Sequence, residues 1–379
     1  MAPIIIIGSG LAGYTLAREF RQLDSTSPLC IITADDGRYY SKPMLSTALA
    51  QGKTLEALTL SSPKAMADKL AINVHTYTHV EEVDAKGHRL FAHGEWMEYR
   101  ALVIAVGASP IRLPFEGSGA DDVMLVNNLT DYGQFRELLD KKQRVVIIGP
   151  GLIGCEFAND LLQVGKQATL IGPDPYPIST LLPEEAAVSL QNALEQAGAE
   201  WQLKTTTKSI DKIGEGYRIE LANGQVIHTD LILSAVGLRP EITLADQIGL
   251  KVNRGIVTDQ TLQTSQPDIY ALGDCAEVDG LNLPFVAPLM LGAKALARTL
   301  AGEMTQVSYP AMPVAIKTTL HPVVVAPPPQ VEGEWQIEEV GNGIKALYKS
   351  SDGSVLGLAL TGTAVNEKQT LAKLLPPLL

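Results

Sequence analysis

The sequence contains few cysteines, few aromatic residues and fewer basic than acidic residues. In 379 positions there are three cysteines, 5% aromatic residues, and 30 lysines and arginines against 42 aspartates and glutamates. Cys30, Cys155 and Cys275 form no CxxC or CxxxxC pair, so the chain has no neighbouring thiols that could accept electrons and form a disulfide. We expect all three to be small buried residues on strands and helices.

The acidic balance and the lack of long apolar runs exclude further classes of protein. A net charge of −12 opposes non-specific binding to nucleic acid or to anionic membranes, which are themselves negatively charged. No apolar run approaches the roughly 20 residues of a membrane span. The apolar start of the sequence has no basic region before it, so we interpret it as a strand and not as a signal peptide. These features predict a cytoplasmic protein without membrane insertion or a nucleic-acid partner.

Metal-binding patterns are equally scarce. His75 and His79 are four positions apart, but their neighbourhood, NVHTYTHV, is typical of a strand and does not place them on one helix face. No iron–sulfur spacing occurs. The sequence therefore predicts no metal site.

One pattern stands out because it occurs twice. IIIIGSGLAGYTLA (residues 4–17) and RVVIIGPGLIGCEFA (residues 144–158) each join a β-branched run to a glycine-rich turn and an apolar helical pattern. Such a unit predicts a buried parallel strand, a turn that binds a pyrophosphate, and a helix whose N-terminus faces the anion. Two units predict two bound dinucleotides, and hydride transfer between them is the simplest reason to bind both.

The three glycines of each turn have separate roles. In the first turn, Gly8 permits the tight bend, Gly10 lets the backbone approach the pyrophosphate, and Gly13 lets helix and strand pack closely. The second turn repeats the spacing with the glycines Gly149, Gly151 and Gly154.

Two nearby segments add candidate ligands. LCIITADD (residues 29–36) predicts a second parallel strand that ends in acids, and either Asp35 or Asp36 could accept a ribose hydroxyl. An acidic loop without a ligand explains either residue equally well. Lys42 precedes Pro43, which favours extended backbone, and it could reach a phosphate.

The segments that follow the two glycine units resemble each other, and the chain beyond the second of them has a different pattern. Hairpin signals at residues 86–87 and 93–94, and again at 223–224, follow the two glycine units. Residues 105–107 and 235–237 both read Ala-Val-Gly, which indicates a repeated domain. Beyond it we predict a strand that ends before Asp274, a helix over 285–301 and a small α+β domain from about 309. We interpret Pro327 to Pro329 as a rigid turn.

The motifs GSGLAG, GPGLIGCEFA and IYALGDCA, in this order, resemble those of the flavoprotein reductases with two dinucleotide-binding domains. The resemblance covers essentially the whole chain. It implies an α/β fold with two Rossmann-like domains, the NAD domain inserted into the FAD domain, followed by a small C-terminal α+β domain. The expected bounds are 1–109 and 240–308 for the FAD domain, 110–239 for the NAD domain and 309–379 for the C-terminal domain.

The resemblance also implies FAD and NADH as cofactors and assigns residues to them by position. It assigns the adenosine end of FAD to Ala34 or Asp35, adenine to the backbone of Val80, and the ribityl chain to Asp274. The FAD pyrophosphate would be bound by the residues of the first turn, Gly8, Ser9, Gly10, Leu11, Ala12 and Gly13. NADH would be bound by the second turn with Gly149, Gly151 and Gly154.

The remaining residues would surround the flavin ring. Lys42 would meet the phosphates or the flavin, and Val286 would meet the isoalloxazine through its backbone N–H. Lys317 would approach from the third domain. Glu156 would lie where nicotinamide meets flavin. We expect Glu156 and Lys42, the two residues nearest the chemistry, to form a partly buried ion pair.

Three segments, ADDGRYYSKPMLS, GLIGCEFANDL and YALGDCAEVDGLNLP, resemble the branch of this family that reduces rubredoxin in alkane-oxidising bacteria. This implies electron flow from NADH through FAD to rubredoxin, or to a ferredoxin-like one-electron carrier, and from rubredoxin to an alkane hydroxylase. One alternative is a ferredoxin reductase or NADH oxidase of the same fold. The other is a flavin-binding interaction protein without turnover.

The chain departs from the wider family at several positions. Lys42 replaces a common arginine, Thr47 occupies the position of a lysine, and Gly172 replaces a carboxylate that usually binds the NAD ribose. From residue 168 to residue 190 there is no lysine or arginine, whereas Asp174, Glu184 and Glu185 are acidic. This loop predicts a preference for NADH, because the 2′-phosphate of NADPH would find no cation there.

Overall fold

The first part of the chain builds a parallel sheet around β1. The computed structural model describes residues 2–379. In chain order, its first 110 residues form β1 (Ile4–Ile7), α1 (Leu11–Leu23), β2 (Leu29–Ile32), β3 (Tyr39–Tyr40), a 3₁₀ helix (Lys42–Thr47), α2 (Leu55–Leu58), β4 (Thr59–Ser61), α3 (Pro63–Leu70), β5 (Asn73–His75), β6 (Val80–Asp84), β7 (Arg89–Ala92), β8 (Glu95–Glu98), β9 (Ala101–Ile104) and β10 (Ala108–Pro110).

The middle of the chain repeats this plan. Its elements are a 3₁₀ turn (Ala120–Asp122), α4 (Leu129–Leu139), β11 (Arg144–Ile148), α5 (Leu152–Gln163), β12 (Gln167–Ile171), α6 (Glu184–Gln196), β13 (Ala199–Gln202), β14 (Thr207–Ile213), β15 (Gly216–Leu221), β16 (Val226–Thr229), β17 (Leu231–Ser234) and β18 (Leu238–Pro240).

The last part first returns to the initial sheet and then forms a sheet of its own. It contains α7 (Thr243–Gln247), β19 (Ile256–Thr258), β20 (Ile269–Ala271), β21 (Ala276–Val278), α8 (Val286–Leu300), β22 (Val314–Ile316), β23 (Val323–Ala326), β24 (Glu334–Val340), β25 (Gly343–Lys349), β26 (Val355–Thr361), a 3₁₀ helix (Gly362–Glu367), α9 (Lys368–Leu371) and a final 3₁₀ turn (Ala372–Leu374).

The first sheet has the strand order β20-β9-β1-β2-β5, with parallel pairing throughout. β1 lies at its centre, and its four isoleucines are buried because helices and neighbouring strands cover both faces of a parallel sheet. β20 joins β9 after the whole middle part of the chain has intervened. The antiparallel pair β10 and β18 holds the two ends of that intervening part together.

The second sheet, β13-β12-β11-β17, is also parallel and places β11 as the first sheet places β1. Each sheet is accompanied by an antiparallel sheet of three strands, β6-β7-β8 and β14-β15-β16. The hairpins predicted at residues 86–87, 93–94 and 223–224 are thereby confirmed.

The third part forms an antiparallel sheet, β22-β23-β26-β25-β24, with short helices after it. Hairpins near residues 342–343 and 352–353 join β24, β25 and β26. The third sheet shares one apolar core with the second unit and with the segment around the first 3₁₀ helix, as shown by the cluster that contains Leu45, Ala48, Phe157, Val323 and Val325. The three parts of the chain therefore meet in a common interior.

All three cysteines are buried, which confirms that expectation, although Cys275 lies in a turn after β20 and not on a strand or helix. Burial raises the pKa of the Cys30 thiol to about 12 and that of Cys275 to about 11.

Within residues 2–379, no helix combines the length and apolar character needed to cross a membrane. In the same range no cluster of three or more histidine, cysteine, aspartate or glutamate residues could hold a metal ion.

Candidate functional site

The two glycine turns have the same geometry. Gly8 and Gly149 have φ angles of +114° and +110°, in the region that favours glycine. A Cβ atom on Gly13 would lie 2.0 Å from the Gly8 carbonyl oxygen, and one on Gly154 would lie 1.9 Å from that of Gly149. Side chains are therefore excluded where each helix packs against its own turn, as the spacing predicts.

The middle glycine of each turn is exposed to open space. Apart from the adjacent residues in the chain, a Cβ atom on Gly10 or Gly151 would meet nothing in the described part of the chain within 4 Å. These glycines immediately precede α1 and α5, whose first N–H groups have no partner within their own helices. Each turn therefore combines an open backbone approach with unpaired donors and the positive end of a helix dipole, which together suit a pyrophosphate.

Both turns face one cavity of about 2180 Å³, well above the roughly 300–1,000 Å³ of a site for one small ligand. Gly13 and Gly154 are not among its lining residues, because they pack behind the turns. The other predicted residues all line it, namely Gly8, Ser9, Gly10, Leu11, Ala12, Ala34, Asp35, Lys42, Val80, Gly149, Gly151, Glu156, Asp274, Val286 and Lys317.

The cavity distinguishes between the two acids that follow β2. Asp35 is one of the residues that line it. Asp36 does not line it and instead forms a salt bridge with Arg38, with an N–O distance of 2.6 Å. Asp35 is therefore the better placed of the two for a ribose hydroxyl.

Buried polar atoms without partners also border the cavity. The side-chain oxygens of Asn127, Thr207 and Ser234 accept or donate no hydrogen bond within the described part of the chain, and all three residues line the cavity. Because buried polar groups are nearly always satisfied, such atoms indicate a polar ligand. Together with the two open turns, they fit a pair of dinucleotides.

A buried carboxylate connects the three parts of the chain at this cavity. Glu156 of α5 is fully buried. Its oxygens accept hydrogen bonds from Ser46 Oγ at 2.5 Å and from the backbone N–H of Lys317 at 2.9 Å. Lys317 Nζ lies 2.6 Å from both oxygens, which makes a bidentate ion pair. The carboxylate is thus compensated from the first and third parts of the chain.

The predicted ion pair between Lys42 and Glu156 is wrong. Glu156 pairs with Lys317, and Lys42 lies near Asp274 and Asp131 instead. Burial lowers the pKa of Lys42, while those two carboxylates oppose the shift. Burial raises the pKa of Asp274, and Lys42 opposes that shift in turn. The cause of the error is that β22 brings Lys317 to Glu156 across the domain boundary, which neighbouring residues in the sequence do not reveal.

Two further polar residues of α5 fix the same junction, and sequence reasoning missed them together with Ser46. Asn159 Oδ1 accepts the N–H of Leu320 at 3.0 Å. Asp160 accepts the N–H groups of Leu49 and Ala50 at 3.0 and 2.8 Å. Glu156, Asn159 and Asp160 have the i, i+3, i+4 spacing of one helix face. Three polar residues at that spacing in an otherwise apolar helix were the available signal.

Asp160 provides a pH-dependent prediction. Burial raises its pKa to about 6, against the bonds from Leu49 and Ala50 that lower it. The folded chain therefore binds a proton more tightly than the unfolded chain, so this group's contribution to stability falls as pH rises from about 4 to 6 and is level above that. We expect Asp160→Asn to remove this slope, which urea unfolding of both proteins at pH 4.5, 5.5 and 7.5 would show. An unchanged difference across these pH values would contradict the assignment.

The loop after β12 differs from the simple acidic loop expected from the sequence. Gly172 and Asp174 line the cavity, and Asp174 accepts a hydrogen bond from Ser179 Oγ at 2.5 Å. The backbone N–H of Lys204 donates to the Asp174 carbonyl oxygen at 3.1 Å, and Lys204 is exposed. The backbone of Lys204, two residues beyond β13, therefore lies beside this loop, while its exposed side chain does not line the cavity.

Two nucleotide turns that face one cavity, in two parallel sheets joined by a third small domain, define a reductase with two dinucleotide-binding domains. Residues 2–309 match the family described as Pyridine nucleotide-disulphide oxidoreductase. Residues 306–375 match the Rubredoxin binding C-terminal domain. The chain belongs to the pyridine nucleotide-disulphide oxidoreductase family, which confirms the resemblance inferred from the motifs.

Similar proteins agree with this assignment. The chain is 47% identical over 381 residues to the rubredoxin-NAD(+) reductase of Alcanivorax borkumensis, covering 100% of both chains. It is 46% identical over 389 residues to that of Acinetobacter baylyi, covering 100% of this chain and 99% of the relative. The NADH:rubredoxin oxidoreductase structure from Clostridium acetobutylicum has the same fold, with a TM-score of 0.82 and 19% identity over 98% of this chain and 94% of that one.

Proposed function

We propose that this protein oxidises NADH and passes the electrons through FAD to rubredoxin. The observation that carries the proposal is the junction at Glu156, where Lys317 enters the cavity from the part of the chain that matches the rubredoxin binding domain. FAD, when bound, accepts a hydride from a nicotinamide and releases electrons one at a time, which suits a one-electron acceptor. The buried, widely separated cysteines fit a route that uses no thiol pair.

The chain's own residues have positioning and electrostatic roles in this proposal. The turn at Gly8 would hold the FAD pyrophosphate, and the turn at Gly149 would hold that of NADH. α8 begins at Val286 on the cavity, so its first N–H groups would stabilise negative charge on the cofactor. Glu156 and Lys317 would fix the shape of the cavity where both cofactors meet.

We propose the division of the chain into an FAD domain (1–109 and 240–308), an NAD domain (110–239) and a C-terminal domain (309–379). The pairing of β20 with β9 supports the discontinuous FAD domain, and the separate five-stranded sheet supports the last boundary. We place the reaction in the cytoplasm because its reductant, NADH, is a cytoplasmic metabolite.

Nucleotide choice gives a second prediction. We expect kcat/KM for NADH to exceed that for NADPH by about 10- to 100-fold, or about 1.4–2.8 kcal/mol, because the loop after β12 offers Asp174 and no cation of its own. Lys204 is the cation that would weaken this preference. The two nucleotides should be compared with one acceptor in the wild type and in Lys204→Met. Equal values in the wild type, or a preference for NADPH, would refute the charge argument.

The experiment that tests the proposed function is a comparison of acceptors. The purified, FAD-reconstituted protein is mixed with NADH and rubredoxin, a ferredoxin or oxygen alone, and acceptor reduction is followed by absorbance. We expect rubredoxin to be reduced at least about tenfold faster than the others. Rapid oxygen consumption without a carrier would indicate an NADH oxidase, and a ferredoxin preference would indicate a ferredoxin reductase. Slow flavin reduction with no acceptor turnover would indicate an interaction protein.

A further inference from the structure

Residues 375–379, which we term the returning segment, lead from the third domain back to the first. The Pro-Pro pair within it has no role in the nucleotide motifs. Nevertheless, Leu375, Pro376, Pro377 and Leu378 all line the large cavity. The returning segment is therefore part of the site's wall as well as a connection between domains.

Backbone hydrogen bonds fix this segment to the boundary between the first and third domains. The N–H of Leu378 donates to the Tyr309 carbonyl oxygen at 2.7 Å, and the N–H of Tyr309 donates to the Leu379 carbonyl oxygen at 2.9 Å. Ser308 Oγ donates to the same Leu379 oxygen at 3.2 Å. The side chain of Leu379 packs against the core of the first domain, whereas that of Leu375 packs against the core of the third. The segment thus spans two hydrophobic cores.

Its anchor places the segment at one end of the cavity. Tyr309 packs against α8, where a Cβ atom on Gly292 would lie 3.7 Å from the Tyr309 hydroxyl, and α8 begins on the cavity at Val286. Residues 311–315, which follow Tyr309 and lead to Lys317, also line the cavity. The returning segment, the start of α8 and the strand that leads to Lys317 therefore surround the same end.

We propose that the returning segment is a wall of the FAD site at its isoalloxazine end. This rests on the proposed function, because Val286 and Lys317 mark that end only if FAD occupies the cavity. The segment supplies apolar surface from prolines and leucine, which favours a flat, largely apolar ring system and excludes water from it. The fixed φ angles of Pro376 and Pro377 reduce the conformational entropy lost when the wall is ordered.

The test uses FAD binding and not turnover. Apoprotein is titrated with FAD, the Kd is read from flavin fluorescence, and access to the bound flavin is measured by iodide quenching. Three variants are compared with the wild type: Leu378→Ser, the double variant Pro376→Gly/Pro377→Gly, and Leu374→Ser. The last is the matched control, since Leu374 is 54% exposed and is not a lining residue.

We expect Leu378→Ser to raise the Kd for FAD by about tenfold and to increase quenching by iodide, since apolar wall is lost and water gains access. The double glycine variant keeps the backbone bonds of Leu378 and should raise the Kd by about threefold through added flexibility. Leu374→Ser should match the wild type. A wild-type Kd and wild-type quenching in both Leu378→Ser and Pro376→Gly/Pro377→Gly would overturn the proposal that the returning segment is a wall of the FAD site. Failure of the wild-type protein to bind FAD would instead overturn the proposed function.

Discussion

Replacement of Lys317 by methionine should destabilise the protein by about 3 kcal/mol. The substitution leaves Glu156 fully buried, with only the Ser46 hydroxyl and one backbone N–H as donors. Removal of one partner of a buried pair typically costs about 3–5 kcal/mol, because a charge stays buried without compensation. We expect the lower end of that range because the Lys317 side chain is 32% exposed. Urea unfolding of the FAD-free protein would measure the loss.

The two single substitutions should differ. Glu156→Gln keeps one acceptor oxygen for the Lys317 backbone N–H, and its amide NH2 can donate to Ser46 Oγ, which then acts as the acceptor. It also leaves an ammonium group that can reach water, so its cost should be smaller than that of Lys317→Met. The double variant should recover part of the loss, with a coupling of about 1–3 kcal/mol. Lys64→Met is the control, since its pair with Asp68 is exposed and should contribute little. Additive single effects would show that the pair does not act as a unit.

The glycines of the second turn should separate nucleotide binding from folding. Gly154→Ala should destabilise the protein by roughly 3 kcal/mol or more, because the new Cβ atom would lie 1.9 Å from the Gly149 carbonyl oxygen. The new Cβ atom of Gly151→Ala would meet nothing within 4 Å beyond the adjacent residues of the described chain, so the stability of the protein should change by about 1 kcal/mol at most. The methyl group would nevertheless stand where the backbone meets a pyrophosphate, and we expect KM for NADH to rise at least about tenfold.

The first turn provides the matched control for this experiment. Gly10→Ala has the same open surroundings and should weaken FAD binding while the protein stays folded. Gly151→Ala should retain FAD, as judged by the flavin absorbance of the purified protein. If Gly151→Ala lost FAD, or if Gly10→Ala retained it with normal affinity, the assignment of one nucleotide to each turn would be incorrect.

Local signals were sufficient for most of the fold. A run of β-branched residues before a glycine turn fixes a central parallel strand, because only a fully buried strand tolerates it, and this holds for both β1 and β11. Hairpin turns are similarly local. The order of the motifs then placed Asp274 at the end of a strand of the first sheet, where the structure has it after β20.

The partner of Glu156 could not be predicted in this way. Ser46 and Lys317 are 110 and 161 positions from it, and their meeting depends on how three domains pack. The family's pattern led us to predict Lys42 as the partner, whereas Lys317, which directly follows β22, forms the ion pair. Likewise, the sequence does not distinguish Asp35 from Asp36 as the ribose ligand. The structure distinguishes them because Asp36 forms a salt bridge with Arg38.

The pairing of β20 with β9 also has a consequence for how the protein is made. Ile104 ends β9 and Ile269 begins β20, so at about 5–20 residues per second the ribosome delivers the second strand roughly 10–30 s after the first. By then β17, the last strand of the second sheet, has already been synthesised. The nascent chain can therefore complete the second sheet while the first sheet still has an open edge at β9. Chaperone binding and aggregation during synthesis should concentrate on that edge.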